Sequence, residues 1–175
     1  MTAKKAAQTA VLLAAALILG FLEAMLPPVF SLLPYAKVGL GNAAILLALI
    51  WLGVPYAAII LVLKCVIIGL FSGAPTMILY SLGGGVLSFA IMTLLLKIGA
   101  NGVPAISATG GVMHNVGQVV VAILFTGTTG IAVLLVYLAL FGLIAGAVIG
   151  VIVYFVDKGV RRGEQKKSQD GKGSF

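Results

Sequence analysis

The chain has 175 residues, of which 62% are hydrophobic and 9% are charged, whereas a soluble domain carries about 25% charged residues. No soluble fold of this length can hide that much apolar surface, so the composition predicts an all-α integral membrane protein that crosses a plasma membrane several times. The net charge of +7 does not point to nucleic acid, because six of the eleven basic residues lie after Asp157, in a tail suited to anionic headgroups. The single cysteine, Cys65, excludes an internal disulfide. One cysteine and one histidine also fall short of the four ligands of a structural metal site, so neither metal nor cofactor is expected.

The first predicted span, Ala6–Leu26, follows Lys4 and Lys5 and reads as a retained helix, not a cleaved leader. Ala6, Ala10 and Ala14 recur at i, i+4, i+8, either as ordinary helix-forming alanines or as a flat strip suited to close helix packing. Glu23, near the far end, lies at headgroup level or is paired inside the bundle. Pro27, Pro28 and Pro34 end the helix. A second, short span leads from Lys37 and Asn42 to Trp51 or Leu52. Gly53-Val54-Pro55 opens the third, which runs to Phe71. Lys64 sits about nine residues into it, some ~14 Å deep, where an ammonium needs a partner or a water-filled space.

A fourth span, Thr76–Lys97, contains Gly83, Gly84 and Gly85, each costing about 1 kcal/mol relative to alanine in a helix interior. They suit either helix–helix contact or the close approach of a ligand. In the fifth span, Pro104–Phe125, Ser107, Gly110, Gly111, His114, Gly117 and Gln118 share one small-and-polar stripe, with Asn115 beside it. That stripe is either interhelical glue or a ligand-facing surface. The sixth span, Ile131–Val156, carries Gly142, Gly146 and Gly150 at i, i+4, i+8. Residues 1–157 thus form a six-helix membrane domain, and 158–175 a basic, disordered tail. Basic ends together with Lys97 place both termini in the cytoplasm and require an even number of crossings. On that topology Glu23, Lys37 and Asn42 fall near the outer face. Lys64, Gly84, His114, Asn115 and Gln118 fall near the midplane or in its outer half, which predicts a polar pocket reached from outside.

Three blocks carry a resemblance. Lys37-Val38-Gly39-Leu40-Gly41-Asn42, Tyr80-Ser81-Leu82-Gly83-Gly84-Gly85 and Gly111-Val112-Met113-His114-Asn115-Val116-Gly117-Gln118 resemble the signature blocks of the Gx transporter family, also labelled heptaprenyl diphosphate synthase component I. The chain departs from that pattern at Pro34-Tyr35-Ala36, where a Pro-Gly step often stands, and at Lys64, where arginine is frequent. That family resembles the substrate-binding S components of energy-coupling-factor importers, six-helix proteins that dock on a transmembrane coupling subunit with two ATPases. The resemblance implies an S-component-like bundle, with Ala6, Ala10 and Ala14 as the docking strip.

The leading expectation is a non-enzymatic binding and transport subunit for a small anionic or zwitterionic solute. Lys37, Lys64 and His114 would supply donors or positive charge; Asn42, Asn115 and Gln118 would orient the solute; Gly83, Gly84 and Gly85 would permit close approach. Glu23 would pair with Lys64 when the site is empty. The second expectation is a non-catalytic accessory subunit in isoprenoid or quinone metabolism or in a membrane redox system. A membrane enzyme is the third, and it would need a nucleophile–base pair that the span bearing His114 does not supply.

Overall fold

The computed structural model describes residues 2–25, 39–73, 75–99 and 102–170, and among these the chain is helical with no strand. Six helices follow one another: α1 (Ala3–Met25), α2 (Asn42–Trp51), α3 (Val54–Phe71), α4 (Thr76–Lys97), α5 (Val103–Thr126) and α6 (Leu135–Asp170), the last entered through a 3-10 turn, Thr129–Leu134. Five of them are long and apolar enough to cross a membrane. Their boundaries follow local chemistry. Pro55 and Pro104 stand in the first turns of α3 and α5, where a missing N–H breaks no helical bond. Gly127 takes a left-handed conformation (φ 67°) and closes α5 through its N–H to the Ile123 carbonyl.

Two contacts set the direction of the helices. The Lys4 ammonium lies 3.7 Å from a Glu164 carboxylate oxygen, and the Trp51 indole N–H donates to Asp157 Oδ1 at 2.8 Å. The start of α1, the end of α2 and the lower part of α6 therefore share one face of the bundle, and the two ends of the described chain lie on the same side. With ten residues, α2 is about 15 Å long, half of a ~30 Å hydrocarbon core. Ending at that face, it begins near mid-bundle, and Asn42 lies deep, not at the outer face where the sequence placed it. Residues 26–38, with Lys37 and the three prolines, lie outside the described residues.

Close backbone packing organises the rest. Helix α5 is clasped between α4 and α6. A Cβ on Gly111 would fall 2.2 Å from the Gly142 carbonyl oxygen, and one on Gly117 would fall 2.3 Å from that of Gly83. Gly146 and Gly150 continue the α6 contact against Ser107 and Pro104, so the three glycines of α6 form the seam with α5. Helix α1 buries Leu12, Ala16, Gly20 and Glu23, and Ala6, Ala10 and Ala14 are exposed on its outer face.

Helix α6 also corrects the reading of the tail: its 36 residues continue to Asp170, so residues 158–170 are helical. The reason is compositional. The segment holds strong helix formers and no proline, and Asp157 pairs with Arg161 one turn on, at 2.9 Å.

Candidate functional site

The apolar bundle contains a cluster of polar side chains, Glu23, Asn42, Lys64, His114 and Gln118, each more than nine-tenths buried. Four helices supply it. Glu23 continues the buried face of α1. Asn42 opens α2, deep in the bundle because α2 is short. Lys64 lies on the buried face of α3 with Ala57, Ile60, Leu61 and Ile68. His114 and Gln118, one turn apart on α5, point the same way.

The hydrogen bonds join them in a line. The Lys64 ammonium donates to Asn42 Oδ1 at 3.4 Å. Asn42 Nδ2 lies 3.2 Å from His114 Nδ1, and His114 Nε2 lies 3.2 Å from Gln118 Nε2. The charge on Lys64 decides the direction of the whole line. A carboxamide whose oxygen faces an ammonium must donate from its nitrogen, so His114 Nδ1 accepts and the imidazole proton sits on Nε2. Gln118 Nε2 faces His114 Nε2; turning the carboxamide about its last torsion brings its oxygen to that position, where it would accept from Nε2–H. Glu23 accepts from the backbone N–H of Gly39, which has φ 87°, a conformation that favours glycine.

Small residues make room for this line. A Cβ on Gly41 would lie 3.0 Å from Lys64 Cδ, and one on Gly84 would lie 2.9 Å from both His114 Cε1 and Gln118 Cγ. Two cavities flank the Asn42–His114 contact, each about 10 Å³, room for roughly one water. One is walled by Glu23, Gly39, Lys64, Ser81 and His114. The other is walled by Asn42, Ser88, Ser107 and neighbouring glycines, and Ser88 Oγ is buried there with no hydrogen-bond partner among the described residues.

The sequence-predicted site residues therefore separate. Glu23, Asn42, Lys64, His114 and Gln118 come together. Asn115 points elsewhere: its Nδ2 donates to the Leu138 carbonyl at 2.6 Å and ties α5 to α6. Gly83 meets Gly117, and a Cβ on Gly85 would lie 2.6 Å from Leu61 Cδ1, so neighbouring helices occupy the approach that the sequence reading left to a ligand. Gly84 serves the cluster by accommodating the His114 ring. Lys37 lies outside the described residues. Gly39, Gly41 and Ser81 were not singled out from sequence as site residues, although Gly39 and Gly41 stand in the same block as Asn42. A larger recess of about 740 Å³, lined by Leu79, Val86, Val120, Leu124 and Phe125 among others, opens between α4 and α5; its walls are apolar.

Fold and site together define a polytopic helical membrane protein with a polar cluster enclosed at the middle of its bundle. The family described as heptaprenyl diphosphate synthase component I matches residues 12–156, and the chain belongs to that family. The match takes in the whole cluster, from Glu23 to Gln118. Searches of curated proteins and of solved structures returned no match.

Proposed function

We propose that the chain is a non-enzymatic subunit of the plasma membrane that captures a small anionic or zwitterionic solute at the Lys64–Asn42–His114–Gln118 line, in the manner of an energy-coupling-factor S component. The observation that carries this reading is a mid-bundle ammonium whose hydrogen-bond acceptor is a neutral carboxamide. Asn42 solvates Lys64 without neutralising it, and Glu23 stands on the wall of the same cavity as counter-charge. A solute carboxylate or phosphate would take the position facing Lys64. The cavities hold about one water each, so capture requires the bundle to open and close around the solute. The positive-inside rule puts the shared basic face in the cytoplasm and entry on the opposite side. The exposed strip of Ala6, Ala10 and Ala14 then faces a partner, which in this reading is a transmembrane coupling subunit with its ATPases.

Family membership favours a second reading. A synthase "component I" works with another component, and the chain would be its non-catalytic membrane partner in isoprenoid or quinone metabolism. With four acidic residues in 175, at Glu23, Asp157, Glu164 and Asp170, the sequence offers no carboxylate cluster for magnesium, so the chemistry would fall to the partner.

A thermal-shift screen of the detergent-solubilised protein against small anionic and zwitterionic metabolites tests the first reading. It predicts a metabolite that raises the melting temperature of wild type and leaves Lys64→Met unmoved. A panel in which wild type and Lys64→Met respond alike, with a prenyl synthase subunit co-purifying, would favour the second.

A further inference from the structure

Away from the polar cluster, at the basic face, the ends of α1, α2 and α6 enclose a recess of about 430 Å³ lined by Thr2, Lys4, Lys5, Gln8, Ile50, Trp51, Val160, Arg161 and Glu164. We infer that this recess binds the phosphate or diphosphate headgroup of a membrane lipid. Three cations converge on it, and none is fully committed. Among the described residues Lys4 has only the loose contact with the exposed Glu164, at 3.7 Å. Lys5 lies 5.6 Å from the centre of the Tyr56 ring, a contact that keeps its ammonium charge available. Arg161 reaches both oxygens of Asp157 through Nε alone, at 2.9 Å, which leaves the four Nη protons to take a phosphate in fork geometry. Counting Asp157 and Glu164 against the three cations, the recess keeps a net positive charge.

Depth supports a lipid headgroup. Trp51 ends α2 here with its indole N–H on Asp157, the amphipathic placement typical of the membrane interface. Ile50 and Val160 give the recess apolar walls for the first carbons of a tail. Basic pockets between helices at this level suit anionic lipid heads. The site is separate from the Lys64 cluster and does not depend on the solute reading.

Melting temperatures of the full chain in uncharged detergent test the inference, with phosphatidylglycerol, phosphatidylcholine, farnesyl diphosphate and inorganic diphosphate as probes. Phosphatidylglycerol should raise the wild-type value by several degrees and phosphatidylcholine should not. The shift should fall by at least half in Lys5→Gln and in Arg161→Gln and persist in Lys97→Gln, which lies outside the recess. A response to inorganic diphosphate equal to that of farnesyl diphosphate assigns the oxyanion alone as the determinant; a response to the lipid forms only assigns head and tail together. Equal shifts from the two phospholipids, or undiminished shifts in Lys5→Gln, would overturn the inference, and the Lys5 variant decides should Arg161→Gln fail to fold for want of its Asp157 pair.

Discussion

Lys64 is the residue whose presence most needs a reason. A charge in the middle of an apolar bundle costs free energy, and replacing buried ionic groups with apolar ones of similar size is often neutral or stabilising. Lys64→Met should therefore keep or raise the melting temperature of the solute-free protein, and a drop of several degrees would assign Lys64 to structure. His114→Ala and Gln118→Ala should each weaken solute binding by about 1–3 kcal/mol if they hydrogen-bond the solute, read by titration with whichever metabolite the screen returns. Asn115→Ala separates the two faces of α5. It removes the bond to the Leu138 carbonyl and should lower stability by about 0.5–2 kcal/mol while the metabolite affinity stays at the wild-type value. The sequence marked His114, Asn115 and Gln118 as one group. One residue step on a helix turns about 100°, so Asn115 stands well round from His114, while Gln118 lies between the two directions; only the arrangement of neighbouring helices says that Asn115's side meets α6.

At the scale of elements, the signals that punctuate a chain were legible. Pro55 and Pro104 located the starts of α3 and α5, and α4 begins and ends at the residues its composition indicated. The i, i+4, i+8 spacing of Gly142, Gly146 and Gly150 in α6 falls on the seam with α5. Two features were hidden for a physical reason. How far a helix starts below the membrane surface depends on what its other end is anchored to, so the depth of Asn42 followed from the Trp51–Asp157 bond and not from α2's own residues. The helical state of 158–170 reflects propensity and i, i+4 pairing in a segment whose charge alone suggested disorder. Two predictions belong here. Gly84→Ala would force a Cβ to 2.7 Å from the His114 carbonyl oxygen and should destabilise by about 1–3 kcal/mol, measured by thermal denaturation. Ala10→Leu places bulk on the exposed side of α1 and should weaken co-purification with the partner subunit while leaving the solute-induced thermal shift unchanged. Unaltered partner recovery would count against the alanine strip.

For the whole molecule, composition was sufficient to establish a helical membrane protein, and the Lys4–Glu164 contact brings the start of α1 beside the later part of α6. In a Cys65→Ala background, single cysteines at Thr2 and Ser168 should both resist membrane-impermeant thiol reagents in intact cells and react in inverted vesicles. What composition could not supply is the meeting of Glu23, Asn42, Lys64, His114 and Gln118, since these are spread over more than ninety residues and are united only by packing. Their common purpose is most directly tested by purifying wild type and Lys64→Met in parallel from the same membranes and identifying the small molecules each releases by mass spectrometry. The account predicts a solute bearing an anionic group, near one per wild-type chain and lost from a folded Lys64→Met. The same molecules at the same occupancy in both preparations would contradict it.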